Sequence, residues 1–238
     1  MGTPWAQPPK IVALTGAALS RAAGFAPFAA DRMPAGLCLE DVVTQEGFAR
    51  DPTRVQDFYN LRRRELLAAT PSVAHEGLAV LDVVCPRELL IVTGNIDDLH
   101  ERAGSQAVIH LQGELLRVRC TICGKLSERH DDITEASGCP ICGNAGHLRP
   151  HIVWVGEQPL RIASVYQALA HASLFLAIGA NVGNEPAQSF LAEARRVGAR
   201  TIELNLEVSP NPEPFDERIA GPLAEIVPEF VKRLIAEA

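Results

Sequence analysis

KIVALTGAALSRAAG, residues 10–24, divides at Gly16. Before it, Lys10 to Thr15 is a short β-prone apolar run; after it, AALSRAAG can begin a helix, so the stretch reads as strand, tight turn and helix start. The same change recurs at Leu89 to Thr93 (LLIVT), ended by Gly94 and Asn95, and at Leu174 to Ile178 (LFLAI), ended by Gly179. Strands that are apolar throughout and stop at polar turns imply a parallel sheet covered on both faces. Arg200 to Leu206 (RTIELNL) forms a further strand after a helix ending near Gly198. Phe215 to Ala220 reads as a short helical segment. Pro228 to Ala238 reads as a terminal amphipathic helix with Phe230, Val231, Leu234 and Ile235 inward.

The middle of the chain departs from this alternation. Asp51 to Ala68 is strongly helical, with an aspartate before Pro52 at the first helical position. Residues 116–154 hold short β-prone runs broken by Gly and Pro, and four of the six cysteines. Cys120-x2-Cys123-x15-Cys139-x2-Cys142 can place four thiolates tetrahedrally around zinc, and a metal bound only by the folded ribbon stabilises a lobe too small to bury much core. Four thiolates leave no open position, so the zinc is structural. Gly124 and Gly143 follow the second cysteine of each pair, where their N–H groups can turn toward the sulfurs.

The fold expected is therefore α/β: a Rossmann-type parallel sheet with an inserted small lobe containing a four-cysteine zinc ribbon. Residues 9–30, 70–115 and 155–238 form the sheet domain; a helical insertion, 31–69, and the ribbon, 116–154, form the small lobe. The cleft between them is the natural ligand site. With 238 residues and 47% hydrophobic content the chain can bury one substantial core. Paired cysteines point to a reducing compartment, and the absence of a secretory start or a long apolar run points to a cytoplasmic protein without a membrane span. A net charge of −7 gives no general attraction to nucleic acid.

IVALTGAALSRAAGF, TGNIDDLH (93–100), VIHLQGEL (108–115), the cysteine quartet, LRPHIVWVGE (148–157) and GANVGNEPA (179–187) together resemble the sirtuin (Sir2) family of NAD-dependent protein deacylases, and most of all its short bacterial, desuccinylase-like branch. The resemblance implies NAD and zinc as cofactors and an acyl-lysine protein or peptide as partner. It assigns Gly16, Ala17, Ala18 and Ser20 to the phosphate-binding turn, with Ala18 in place of a glycine. A methyl group there would crowd the pyrophosphate if glycine geometry were needed. Phe28 is the aromatic cover of the nicotinamide end, and Ala29 stands where the family has arginine. Asn95, Ile96 and Asp97 fall on the nicotinamide and ribose segment, where an Asx turn at Gly94 would also explain the composition; Gly94 replaces a customary glutamine. Gly179, Ala180, Asn181, Asn205 and Glu207 fall on the adenosine side.

On the substrate side, Tyr59 and Arg62 match the YxxR pair that recognises acidic acyl groups, with a surface arginine over a packed tyrosine as the plain alternative. Val155, Gly156 and Glu157 match the strand to which the peptide adds its backbone. The largest departure is Gln112, which occupies the place of the catalytic histidine, beside Asn95 and Asp97 in the catalytic set. An amide offers hydrogen bonds but no usable base. His110 would share a strand face with Gln112, yet lie about 7 Å along it. Weak or absent deacylation is the leading expectation; ADP-ribosyl transfer and a non-catalytic NAD or acyl-peptide sensor stay open.

Overall fold

The computed structural model describes residues 8–26, 37–207 and 215–237. Strand β1 (Ile11–Thr15) runs into α1 (Ala17–Ala22), and α2 (Leu39–Val42), α3 (Gln45–Arg50), α4 (Pro52–Ala68) and α5 (Val73–Val84) follow. The chain returns to the sheet with β2 (Leu89–Thr93), then α6 (Leu99–Ala103) and β3 (Val108–His110). A second sheet comprises β4 (Gly113–Cys120), β5 (Leu126–Glu128) and β6 (Leu148–Ile152). The remaining elements are α7 (Ile162–Leu169), β7 (Leu174–Ile178), α8 (Ala187–Arg196), β8 (Arg200–Asn205), β9 (Glu217–Ala220) and α9 (Leu223–Glu237).

The larger sheet has the order β3-β2-β1-β7-β8-β9, and every pairing in it is parallel. Its strands divide their residues between two cores. Val12, Leu14, Leu90, Val92, Phe175 and Ala177 pack under α7 and α8. Ile11, Ala13, Leu89, Ile91, Leu174 and Leu176 pack under α5 and α9. Burial on both faces is the physical reason these strands carry no polar alternation. From β1 the chain builds outward to β2 and β3 and then reverses through β7, so the β1/β7 boundary is a switch point with a crevice at the strands' carboxyl ends.

The smaller sheet, β5-β4-β6, is antiparallel. It begins at Gly113, ahead of the 116 boundary read from sequence. Helix α4 starts at the cap Asp51, whose side chain accepts from the Arg54 N–H, and Val55, Phe58, Tyr59 and Leu66 pack with Leu115, Leu116, Ile152 and Trp154. Toward the cysteines the core thins to Val118, Cys120, Ile133, Cys139 and Leu148.

Three sequence readings are corrected. Phe215 to Ala220 is no helix: Glu217–Ala220 is the edge strand β9, parallel to β8, because pairing with Ile202–Asn205 satisfies its backbone. The last helix begins at Leu223 rather than Pro228, and Leu223 and Val227 anchor its first turns in the core. Pro228 lies near enough to the helix start that most of the helix follows it. Val155-Gly156-Glu157 is a turn, closed by the Glu157 N–H on the Trp154 carbonyl at 2.9 Å, with Gly156 at φ +86°.

Candidate functional site

Two cavities open at the carboxyl ends of β1 and β2. The first, ≈ 210 Å³, is lined by Ala17, Ser20 and Phe25 from the first turn, Gly94 to Asp97 from the second, Gln112, and Val43, Arg62, Ile152 and Val153 from the helical and antiparallel parts. The second, ≈ 160 Å³, lies at the switch point between Thr15, Gly16, Gly94, Gln112, Ala180, Asn181 and the 184–187 segment. Gly94 and Gln112 line both. A Cβ at Gly94 would find the Thr15 carbonyl oxygen as its nearest described neighbour, at 3.9 Å, so the space beside this shared lining residue is open.

Gly16 has a different necessity. Its φ of −134° suits any residue, but a Cβ there would come within 2.6 Å of the Ala180 Cα and the Gly179 carbonyl oxygen, so glycine permits β1 and β7 to turn against each other. Ala18 lies inside α1 with its methyl toward Gly179 and the core, and it lines neither cavity. Gly179 is left-handed, φ +57°, and its N–H donates to the Leu204 carbonyl.

The polar groups of the first cavity are tied together. Ser20 Oγ donates to Asp97 Oδ2 at 2.5 Å, and the Leu99 N–H approaches Oδ1 at 3.3 Å. Asp97 is 2% exposed, and burial raises its pKa above the ordinary carboxylate value, opposed by the Ser20 bond. Asn95 Nδ2 donates to the Gly16 carbonyl at 3.1 Å, and the Asn95 N–H donates to Thr93 Oγ1 at 3.0 Å. Gln112 lies in the bend between β3 and β4, outside the strand expected from sequence, with its carbonyl held by the Val153 N–H at 2.9 Å. His110 does not share its outlook. The His110 ring lies 3.1 Å from the Asn95 carbonyl and 2.8 Å from Glu101 Oε1, in a separate acidic cavity.

Not every expected site residue reaches the cavities. Asn205 is half-buried, its Nδ2 donating to the Ala180 carbonyl at 3.3 Å, and Glu207 is exposed; neither lines either cavity. Phe28 and Ala29 lie outside the described residues. Arg62 lines the first cavity, donating to the Ala26 carbonyl and Glu65 with its guanidinium 4.3 Å from the Phe25 ring centre. Tyr59 is fully buried and lines neither cavity, its hydroxyl accepting from Trp154 Nε1 at 3.1 Å; burial raises its pKa. Glu157 braces the turn: both its oxygens take Arg149, which stacks 3.7 Å over Trp154, and it also accepts from Gln45 and the Trp154 N–H. Sequence reasoning missed Phe25, Val43, Ile152 and Val153 as lining residues. They are ordinary apolar residues locally, and only the packing of three chain segments brings them to one wall.

The ligand atoms of Cys120, Cys123, Cys139 and Cys142 lie within 4.8 Å of one another, close enough for all four to reach one zinc ion. Gly124 and Gly143, φ +70° and +74°, turn their N–H groups onto the Cys120 and Cys139 carbonyls rather than the sulfurs. The sulfur donor is Asn144 Nδ2, 3.3 Å from Cys142 Sγ, which draws that thiol down to about 6.

The Sir2 family profile matches residues 16–186. A relative from Escherichia coli (strain K12), named NAD-dependent protein deacylase, is 46% identical over 230 residues, covering 95% of this chain and 82% of the relative. One of the same name from Yersinia pestis is 45% identical over 233 residues, covering 95% and 83%. Among solved structures, a Sir2 homolog–NAD complex superposes with a TM-score of 0.84 at 31% identity, covering 95% of this chain and 89% of that one. A Sir2 bound to acetylated peptide does so at 0.76 and 26%, covering 95% and 92%. With a parallel sheet, a switch-point cleft and a four-cysteine cluster in place, this chain belongs to the Sir2 family.

Proposed function

We propose that this chain binds NAD across the two adjoining cavities and engages acyl-lysine peptides, with deacylation that is weak or lost. Relatives named NAD-dependent protein deacylase, and similar structures holding NAD or an acetylated peptide, support the cofactor and substrate classes. The position of Gln112 at the junction of the cavities carries the judgement on activity.

Bound NAD supplies a ribose carbon bearing nicotinamide as leaving group. Asn95, Asp97 and Ser20 would orient it in the first cavity, and Gly16, Ala180 and Asn181 would border it in the second. Gln112 can donate and accept hydrogen bonds at the boundary, but its carboxamide cannot take a proton from a hydroxyl near neutral pH. Neither neighbouring group replaces it: His110 faces the acidic cavity, and Asp97 is committed to Ser20 and the Leu99 amide. Arg62 would give the acyl end of the cavity a positive wall, favouring acidic acyl groups, while the buried Tyr59 hydroxyl is taken by Trp154.

Incubating the protein with NAD and a succinyl-lysine peptide, while following nicotinamide and O-succinyl-ADP-ribose separately, tests the reading. Saturable NAD binding with little product is expected; vigorous product formation would show that Gln112 does not limit turnover. Nicotinamide release with ADP-ribose attached to an acceptor would instead favour the transferase reading, to which the absence of a base is equally suited.

A further inference from the structure

His110 ends β3 with a side chain only 7% exposed, and both its ring nitrogens face oxygen atoms. Nδ1 is 3.1 Å from the Asn95 carbonyl oxygen and Nε2 is 2.8 Å from Glu101 Oε1. A carbonyl and a carboxylate only accept, whereas neutral imidazole carries a single N–H and would turn a lone pair toward one of them. Imidazolium alone satisfies both contacts. The carbonyl it holds belongs to the turn that presents Asn95, Ile96 and Asp97 to the first cavity, so the proton on His110 reaches the proposed cofactor site through one hydrogen bond.

We infer that His110 is a positioning residue acting as a doubly protonated strut, which ties the Asn95–Asp97 turn to α6 and keeps it set against the cofactor cavity. The charges around it favour that state. Helix α6 contributes Glu101 and, facing Thr15, the uncharged His100; the turn and the start of α6 contribute Asp97 and Asp98. Strand β4 contributes Glu114 and Arg117, and Glu128 and His130 close the far side of the acidic cavity. Burial opposes the charge, but the Glu101 hydrogen bond and charge, the Asn95 carbonyl and Glu114 outweigh it and raise the His110 pKa above 6.5. A folded-state pKa raised in this way means that the strut is complete below the ordinary histidine range and is lost as pH rises through the shifted value.

The role in cofactor binding rests on the NAD reading above; the strut itself does not. Nitrogen-15 spectra of the ligand-free protein should show both His110 ring nitrogens protonated, with a titration midpoint above 6.5. Hydrogen exchange at the Ile96 and Asp97 amides should accelerate as that titration is crossed. NAD affinity, followed by calorimetry across the same range, should fall about tenfold, the scale of one charge-assisted hydrogen bond. Glu101→Gln should move the titration, the exchange transition and the affinity loss together to lower pH. A midpoint at or below 6.5, or exchange indifferent to the titration, would overturn the strut. Absence of NAD binding at every pH, with the exchange transition intact, would sink the NAD reading and leave the strut standing.

Discussion

At the level of single residues, the proposed loss of activity rests on the side chain at position 112. Restoring a base with Gln112→His should raise succinyl- or acetyl-lysine turnover by about 100- to 10,000-fold, the usual contribution of a positioned general base, with little change in NAD affinity. Product assays under saturating NAD check it, and an unchanged rate would show that the remaining machinery is incompetent. Gly16→Ala acts by packing instead. A methyl group within 2.6 Å of the Ala180 and Gly179 backbones must push β1 and β7 apart, costing about 1 to 3 kcal/mol. A shift in urea midpoint with loss of NAD binding is expected, and a variant as stable as the parent would remove the close approach from the account. Gly94 is the opposite case, a glycine beside open space that lines both cavities.

At the level of elements, α5 and α6 meet through two buried histidines that cannot readily be charged. His75 and His100 are fully buried with ring centres 4.9 Å apart; Ser72 lies against His75 and Thr15 against His100. Burial lowers the His75 pKa to about 4, and burial, then the neighbouring histidines, lowers that of His100 well below 6.5. The unfolded chain takes up protons at pH 6.5 while the folded one resists, so stability is present above 6.5 and is lost as pH falls toward 4. For His75 alone the loss approaches about 3 kcal/mol. Urea midpoints between pH 7 and pH 4.5 should fall in the parent and fall less in His75→Gln; identical slopes would discount the histidine. Loss of stability between α5 and α6 as pH falls and loss of the His110 contacts as pH rises are thus expected to run in opposite directions.

At the level of the whole molecule, unequal cores imply unequal dependence on metal. The parallel sheet is covered on both faces, whereas the ribbon end of the antiparallel sheet has a core of five residues, two of them cysteines. Removing zinc with a strong chelator at neutral pH should abolish amide protection in β4, β5 and β6 while β1, β2 and β7 remain protected. Hydrogen exchange with and without chelator measures this, and unchanged protection in the ribbon would deny zinc a structural role. Much of this architecture was legible in the chain itself. The apolar runs of β1, β2 and β7 with their polar ends, the cap and proline opening α4, and the spacing of the four cysteines are local signals, because strand burial, helix initiation and metal geometry each impose a short-range pattern. That position 112 carries an amide, without a proton-accepting group, is likewise written in the residue itself. Only tertiary structure decided that Gln112 borders two cavities while His110 looks away, that the Tyr59 hydroxyl accepts from Trp154, that Glu157 braces a turn, and that Glu217–Ala220 joins the sheet. Each depends on which distant segment supplies the partner, and local composition does not encode that choice.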